Sequence, residues 1–266
     1  MTIRTNFLEP RRLGLLFKRD FLIGYRGILI TMAASAGFIM LVSVLTNLGR
    51  SSQFVYLQLF MPLLYIGGFV FTSLAFRELH QGEQSYFYLN LPASSLEKLI
   101  SKLLVTSVGY ALGALVFFSL VSLLSEGVNR LIFGYGHPLF NPVSREVLFS
   151  VAVYLVTQSI FLLGSVYFRK LAFLKTVIAW NVFAIGTAIL VGLTTWLIFR
   201  GVYLEDGLLR PEARAALESL AETGRFEALL EDIGRGFWLT LKILFWGVLA
   251  PVCWTITYFR LRETEV

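Results

Sequence analysis

The chain has 266 residues, of which 56% are hydrophobic and 15% are charged, and its formal net charge at pH 7 is +6. Because soluble domains are roughly 45 to 50% apolar, this composition indicates a protein that lies mostly in lipid. The cations stand at the ends of apolar stretches, where membrane orientation accounts for them, so we expect no nucleic-acid partner. The single cysteine, Cys253, excludes an intrachain disulfide and a cysteine-based metal cluster.

The first predicted element is an amphipathic helix at the start of the chain, within residues 1–26. Leu13, Leu16, Phe17 and Phe21 recur at helical spacing among arginines and lysines. A basic helix with one apolar face lies flat at a membrane surface, with its cations towards anionic headgroups. We therefore expect an interfacial helix on the cytoplasmic side, followed by a transmembrane domain of residues 27–266.

Six apolar stretches follow, and each is about long enough to cross a bilayer. Hydrocarbon offers no hydrogen-bond partner to a backbone amide, so each crossing must be a helix of roughly 20 residues. The sequence therefore predicts an all-α membrane protein with six transmembrane helices that contact membrane lipid. The predicted spans are about 27–49, 54–76, 103–124, 147–168, 176–199 and 237–259.

The distribution of arginine and lysine predicts the orientation. Cations are concentrated before the first span, between spans two and three, between spans four and five, and after span six. Because cytoplasmic loops carry an excess of such residues, we expect both termini in the cytoplasm and the chain in the inner (cytoplasmic) membrane. The loop 200–236 then lies outside, and its helical patterns predict two short extracellular helices over 211–221 and 225–233, separated by Gly224.

Motifs for self-contained chemistry are absent from the sequence. It has no G-x-x-x-x-G-K-[ST], no H-E-x-x-H and no C-x-x-C, and the predicted spans contain no aspartate or glutamate. We therefore expect no catalytic residue, no metal site and no cofactor on this chain, with energy supplied by another subunit. Three uncharged polar residues in the spans, Gln58, Gln158 and Asn181, fit either helix packing or a translocation path.

The loop between spans two and three, residues 77–102, holds the most specific pattern. Within Pro92-Ala93-Ser94-Ser95-Leu96-Glu97, the spacing of Ser94 and Glu97 predicts a capping box, with Ser94 as the N-cap and Glu97 reaching back to it. A helix should therefore begin here and run into the third span.

Around this box, Phe76-Arg77-Glu78 ends span two, and Leu91-Pro92-Ala93-Ser94 with Lys98 precedes span three. This arrangement resembles the ABC-2 type permease family, the membrane subunits of ATP-binding-cassette exporters. The resemblance extends to the six spans, the amphipathic start and the large segment before the last span.

The resemblance implies a permease dimer, made with a second copy or a homologous permease, beside a cytoplasmic ABC ATPase that binds ATP and Mg²⁺. ATP hydrolysis would drive alternating access, and the loop 77–102 would carry the helix that contacts the ATPase. The residues to which this role would fall are Arg77, Glu78, Glu83, Tyr86, Ser94, Glu97 and Lys98.

Two other classes of function stay open at this point. A membrane-embedded anchor or regulatory subunit would need six helices but no translocation path. An intramembrane enzyme would need a cluster of histidine, aspartate or glutamate within the spans, and the sequence shows none there.

Overall fold

The computed structural model describes residues 9–48, 55–91, 93–134, 138–200, 211, 215 and 225–265. Every secondary-structure element in this part of the chain is helical. In chain order the α-helices are α1 (Pro10–Leu48), α2 (Val55–Pro62), α3 (Gly68–Ser73), α4 (Gly82–Leu89), α5 (Ser95–Leu104), α6 (Tyr110–Phe133), α7 (Arg145–Tyr167), α8 (Ala172–Phe199), α9 (Arg225–Ile243) and α10 (Leu249–Glu265).

Short turns of other helical types connect several of these helices. The π-helical turns Leu63–Gly67, Val105–Gly109 and Leu244–Val248 join α2 to α3, α5 to α6 and α9 to α10. The 3₁₀ turn Arg77–His80 precedes α4. Each π turn therefore lies within one long helical rod.

Among the described residues, six helical stretches are long and apolar enough to cross a membrane, which confirms the predicted all-α class with six candidate spans. They are Leu29–Leu48, Tyr56–Ser73, Ser95–Phe133, Arg145–Tyr167, Ala172–Leu197 and Gly234–Thr264. The third and sixth are longer than the predicted spans 103–124 and 237–259, because hydropathy marks only the most apolar part of a helix. The ends of the third helix are set by the Ser94 cap and by Gly134, whose φ of 75° is left-handed.

The helix α1 runs for 39 residues without a break. At about 1.5 Å per residue it is roughly 58 Å long, well beyond a hydrocarbon core of about 30 Å. Leu16, which the sequence assigns to the lipid-facing stripe, is buried in the protein, whereas Phe17 is exposed. The surface position of residues 1–26 stays a prediction.

The segment before the last span differs from its predicted form. The helix expected over 225–233 is the first part of α9, which continues to Ile243. Gly234 and Gly236 do not end it, because glycine lowers helix stability without removing a backbone donor. Of the helix expected over 211–221, all but residues 211 and 215 lie outside the described residues, as does most of the loop 200–236.

The chain forms two compact units, Leu174–Leu249 and the remainder. The described residues of the second unit form two hydrophobic cores. One core, towards the predicted outer end, contains Phe60, Leu64, Phe118 and Tyr154. The other, towards the predicted cytoplasmic end, contains Phe76, Tyr88, Leu99, Leu162, Val166 and Leu261. The loop 77–102 packs on the second core.

Candidate functional site

The predicted capping box is present at the start of α5. The backbone N–H of Glu97 donates to Ser94 Oγ over 3.2 Å, and the backbone N–H of Ser94 donates to Glu97 Oε2 over 2.8 Å. The other oxygen of Glu97, Oε1, accepts from the backbone N–H of Glu9 over 2.8 Å. Glu97 is fully buried, so its carboxylate fixes the start of α5 against the start of α1.

A second carboxylate, that of Asp20 on α1, joins the same two helices. Its Oδ1 accepts from Lys102 Nζ over 2.9 Å, and its Oδ2 accepts from Ser101 Oγ over 3.2 Å. The exposed fractions of the Asp20 and Lys102 side chains are 6% and 10%. With little solvent to screen them, these charges interact far more strongly than a surface pair.

The loop itself is attached to α1 by a third ion pair. Arg19 Nη2 donates to Glu78 Oε2 over 2.9 Å, with both side chains less than one-third exposed. On the other side of the loop, His80 Nε2 lies 3.1 Å from the carbonyl oxygen of Ser165 at the end of α7. The 3₁₀ turn Arg77–His80 is therefore held from two directions.

Three cations, two of which belong to these pairs, lie around one aromatic ring. Tyr88, which is 2% exposed, has Lys98 Nζ 5.3 Å, Arg19 Cζ 5.7 Å and Lys102 Nζ 5.8 Å from its ring centroid. Each separation falls within the roughly 6 Å of a cation–π contact. We define the charged cluster as Tyr88, these three cations and the three carboxylates described above, which are those of Asp20, Glu78 and Glu97.

The cluster is electrically balanced, with three cations and three carboxylates drawn from α1, the loop and α5. Such balance is what allows ionic groups to be buried, since an unpaired charge would be expensive to desolvate. The arrangement is therefore a rigid support for the loop, and it does not have the excess charge of a phosphate or metal site.

Helix α4 lies on this support and presents two aromatic side chains outwards. Tyr86 and Phe87 are 69% and 70% exposed, and their ring centroids are 6.1 Å apart. The next residue, Tyr88, points into the charged cluster. One short helix thus has an anchored face and an exposed aromatic face.

The loop residues predicted to contact the ATPase fall into two groups, those with contacts inside the chain and those that are exposed. Glu78, Ser94, Glu97 and Lys98 form contacts within the chain, so they support the loop from below. Arg77 and Tyr86 are exposed. Glu83 belongs to α4, but its side chain lies outside the described part of the structure.

The three polar residues suggested for a path differ in burial and in hydrogen bonding. Gln158 is fully buried in α7, where its Oε1 accepts from Thr106 Oγ1 over 3.4 Å. Gln58 is exposed on α2. Asn181 is exposed on α8 and donates through Nδ2 to the carbonyl oxygen of Val177.

A buried carboxylate, Glu126, corrects the expectation that the spans contain no acidic residue. The sequence places it beyond the third span, but α6 continues to Phe133, and Glu126 is 2% exposed. Tyr56 Oη donates to Glu126 Oε1 over 2.5 Å, and Asn129 Nδ2 donates to Ser43 Oγ over 2.8 Å. These four residues, the Glu126 cluster, connect α1, α2 and α6.

Sequence reasoning missed Arg19, Asp20 and Tyr88 as parts of the site. One signal was available, because Asp20 is the single acidic residue among the cations of residues 10–26. Its partner Lys102 lies 82 positions away, and no local pattern indicates such a pairing.

Comparison with known proteins found no match to a family model, a curated protein or a solved structure.

Proposed function

We propose that this chain is the transmembrane subunit of an ABC-2 type exporter. A separate cytoplasmic ATPase hydrolyses ATP, and the chain carries the substrate by alternating access together with a second copy or a homologous permease. Six apolar helices, the Arg77-Glu78 and Leu91–Ser94 patterns, and the supported loop between spans two and three are the observations that favour it.

The observation that carries the proposal is the aromatic pair on α4. Large exposed apolar side chains on a firmly held element are typical of protein contact sites, where aromatic residues supply most of the binding energy. Tyr86 and Phe87 have this character, and Tyr88 anchors the same helix in the charged cluster. We assign α4 as the helix that contacts the ATPase.

The charged cluster determines which helices would move when the ATPase displaces α4. Glu78 connects the turn before α4 to Arg19 on α1, and Asp20 connects α1 to Lys102 on α5. Because these ion pairs join the three helices, we expect α4, the first half of α1 and α5 to move together. Movement of the ATPase would reach spans one and three together.

Co-purification tests the assignment. The tagged chain is isolated in mild detergent from its own cells, and ATP hydrolysis in the eluate is measured per mole of chain. The double substitution Tyr86→Ala with Phe87→Ala should remove most of this activity, because it deletes the exposed contact and leaves the charged cluster intact. The control is Phe149→Ala, which deletes an aromatic side chain that is also well exposed, at 60%, but lies in the first turns of α7.

Aromatic side chains also favour the lipid headgroup region, and the same variant separates the two roles. If the ATPase activity persists while less of the double variant is recovered in the membrane fraction, α4 is a lipid anchor and the docking assignment is wrong. A charge reversal at Glu78 would not separate these roles, because it would also break the ion pair with Arg19.

The placement of Gln158 favours the second candidate, a membrane anchor or regulatory subunit that moves no solute. This side chain is packed inside the protein rather than lining an open path. A subunit of that kind would still bind an ATPase through α4. It would, however, show no ATP-dependent change in the distances between spin labels placed in its spans.

A further inference from the structure

Two of the π-helical turns, Leu63–Gly67 and Val105–Gly109, lie in spans two and three, which enter and leave the loop 77–102. A π turn interrupts the regular i→i−4 hydrogen-bond ladder and is often found at functional sites. Pro62 directly precedes the first turn, and its missing N–H weakens the ladder there. In both spans, a π turn therefore interrupts the α-helix between the loop and the outer half of the span.

Tyrosine hydroxyls from neighbouring helices bind carbonyl oxygens within both turns. Tyr110 Oη donates to the carbonyl oxygen of Leu63 over 2.7 Å, and Tyr154 Oη donates to that of Thr106 over 2.6 Å. The two rings pack on each other with centroids 5.6 Å apart. Tyr154 is fully buried. Each turn is therefore held in its irregular form by a side chain from outside its own ladder.

Glycine makes this close approach possible. A Cβ at Gly67 would overlap the Tyr110 hydroxyl, and a Cβ at Gly68 would overlap the ring of Tyr154. The Gly67-Gly68 pair thus lets both tyrosines reach the backbone where span two passes from π to α geometry.

We propose that these paired π turns are a hinge, latched by the hydroxyls of Tyr110 and Tyr154, through which movement of the loop 77–102 reaches the outer halves of spans two and three. A π turn holds about one more residue than an α turn, so a change to α geometry with the same residues rotates everything beyond it by about 100° and shifts it by about 1.5 Å. A change from π to α geometry would therefore convert a small displacement at α4 into a rotation of two spans. The coupling part of this inference rests on the proposed function.

Distances between spin labels in the full-length chain, reconstituted in lipid nanodiscs, test the hinge. In a Cys253→Ser background, cysteines at Gln58 and Leu74 span the first π turn, and cysteines at Leu104 and Leu120 span the second. A third pair, at Leu112 and Leu124, lies within α6 and should not respond. All six positions are exposed.

Tyr110→Phe should shift the distance across the first turn, and Tyr154→Phe should shift the distance across the second. Because a hydrogen bond of ordinary strength changes an equilibrium constant by about fivefold, we expect a new distance whose population rises by about that factor. Tyr167→Phe is the matched control on α7, since its ring packs under Arg260 and not on a π turn. Unchanged distances in both tyrosine variants would overturn the hinge.

A second measurement adds ATP to the complex with its ATPase. If the hinge couples the two subunits, both distances shift in the direction produced by the tyrosine variants. The coupling role would be overturned if the complex hydrolyses ATP and neither spin-label distance changes when ATP is added. If no ATPase accompanies the chain, the proposed function fails, whereas a shift in the tyrosine variants alone still supports the hinge.

Discussion

Asp20 uses both carboxylate oxygens, one for Lys102 and one for Ser101, with almost no exposure to solvent. A buried ion pair of this kind adds little net stability over an apolar pair, but removal of one partner leaves the other charge unpaired in a low-dielectric site. The stability of the charged cluster should therefore depend on keeping its charges matched.

We predict that Asp20→Asn and Lys102→Met each destabilise the protein by about 3 kcal/mol. The double variant should lose clearly less stability than the sum of the two single losses, because it contains neither the aspartate nor the lysine and so leaves no charge of this pair unpaired. Thermal unfolding of the purified chain in detergent measures all three. Arg12→Met is the control, since the Arg12–Glu9 pair is more than 40% exposed on both sides and such pairs contribute less than about 1 kcal/mol. Additive losses would show that Asp20 and Lys102 act independently.

Glu126 gives a second prediction at this scale. Glu126→Gln keeps an acceptor for Tyr56 but replaces a hydrogen bond to a charged group by a neutral one, which is weaker by about 1 kcal/mol. We expect a lower unfolding temperature in the same assay. Glu263→Gln should change nothing measurable, because its pair with Arg260 is exposed. Equal effects of the two substitutions would contradict a structural role for the Glu126 cluster.

Individual residues also show where sequence reasoning stops. Ser94 and Glu97 are three positions apart, so their capping box is a local pattern and was predicted correctly. The partners of Asp20 and Glu126 lie 82 and 70 positions away. These contacts depend on which helix faces pack together, and hydrophobic periodicity does not specify that for apolar helices surrounded by lipid.

Among the helices, α5 and α7 begin in similar ways, with Ser94 and Ser144 as N-caps. The two N-caps differ in the hydrogen bonds that depend on them. At α7 the Ser144 hydroxyl accepts from the backbone N–H of Val147 over 3.4 Å. At α5 the cap also positions Glu97, whose second oxygen binds the backbone of Glu9.

We predict that Ser144→Ala costs about 1 kcal/mol, as is usual for an N-cap, and that Ser94→Ala costs more, towards 2 kcal/mol. The difference arises because loss of the Ser94 hydroxyl also loosens the carboxylate that joins α5 to α1. Thermal unfolding gives the two values. Hydrogen exchange should show faster exchange near residues 9–13 in Ser94→Ala only, and the absence of that difference would contradict the link.

Helix lengths were less predictable than helix number. A hydropathy window ends where polar residues begin, so it ended span three at Leu124, although the helix continues to Phe133. Glu126 and Asn129 stay helical because their side chains are buried and hydrogen-bonded. The π turns were also not predicted, although Pro62, which directly precedes the first of them, marks a weak point in the backbone ladder.

For the whole molecule, an even number of spans places the two termini on the same side of the membrane. The described residues contain six candidate spans. If each of them crosses the membrane, the loop 77–102, which follows the second, shares that side. The proposed contact between α4 and an ATPase therefore depends on a single property, the orientation of the chain. The concentration of arginine and lysine on one side predicts that this side is the cytoplasm.

Labelling of introduced cysteines with a membrane-impermeant maleimide measures this orientation directly. In a Cys253→Ser background, Asn141→Cys and Arg235→Cys should react in intact cells, and Thr264→Cys should react only after permeabilisation. All three positions are exposed, so differences in reactivity report the side of the membrane and not burial. The opposite pattern would place α4 where no ATP is present. Such a result would exclude the ATPase contact even if every contact in the charged cluster were correct, because the cluster supports α4 equally well in either orientation.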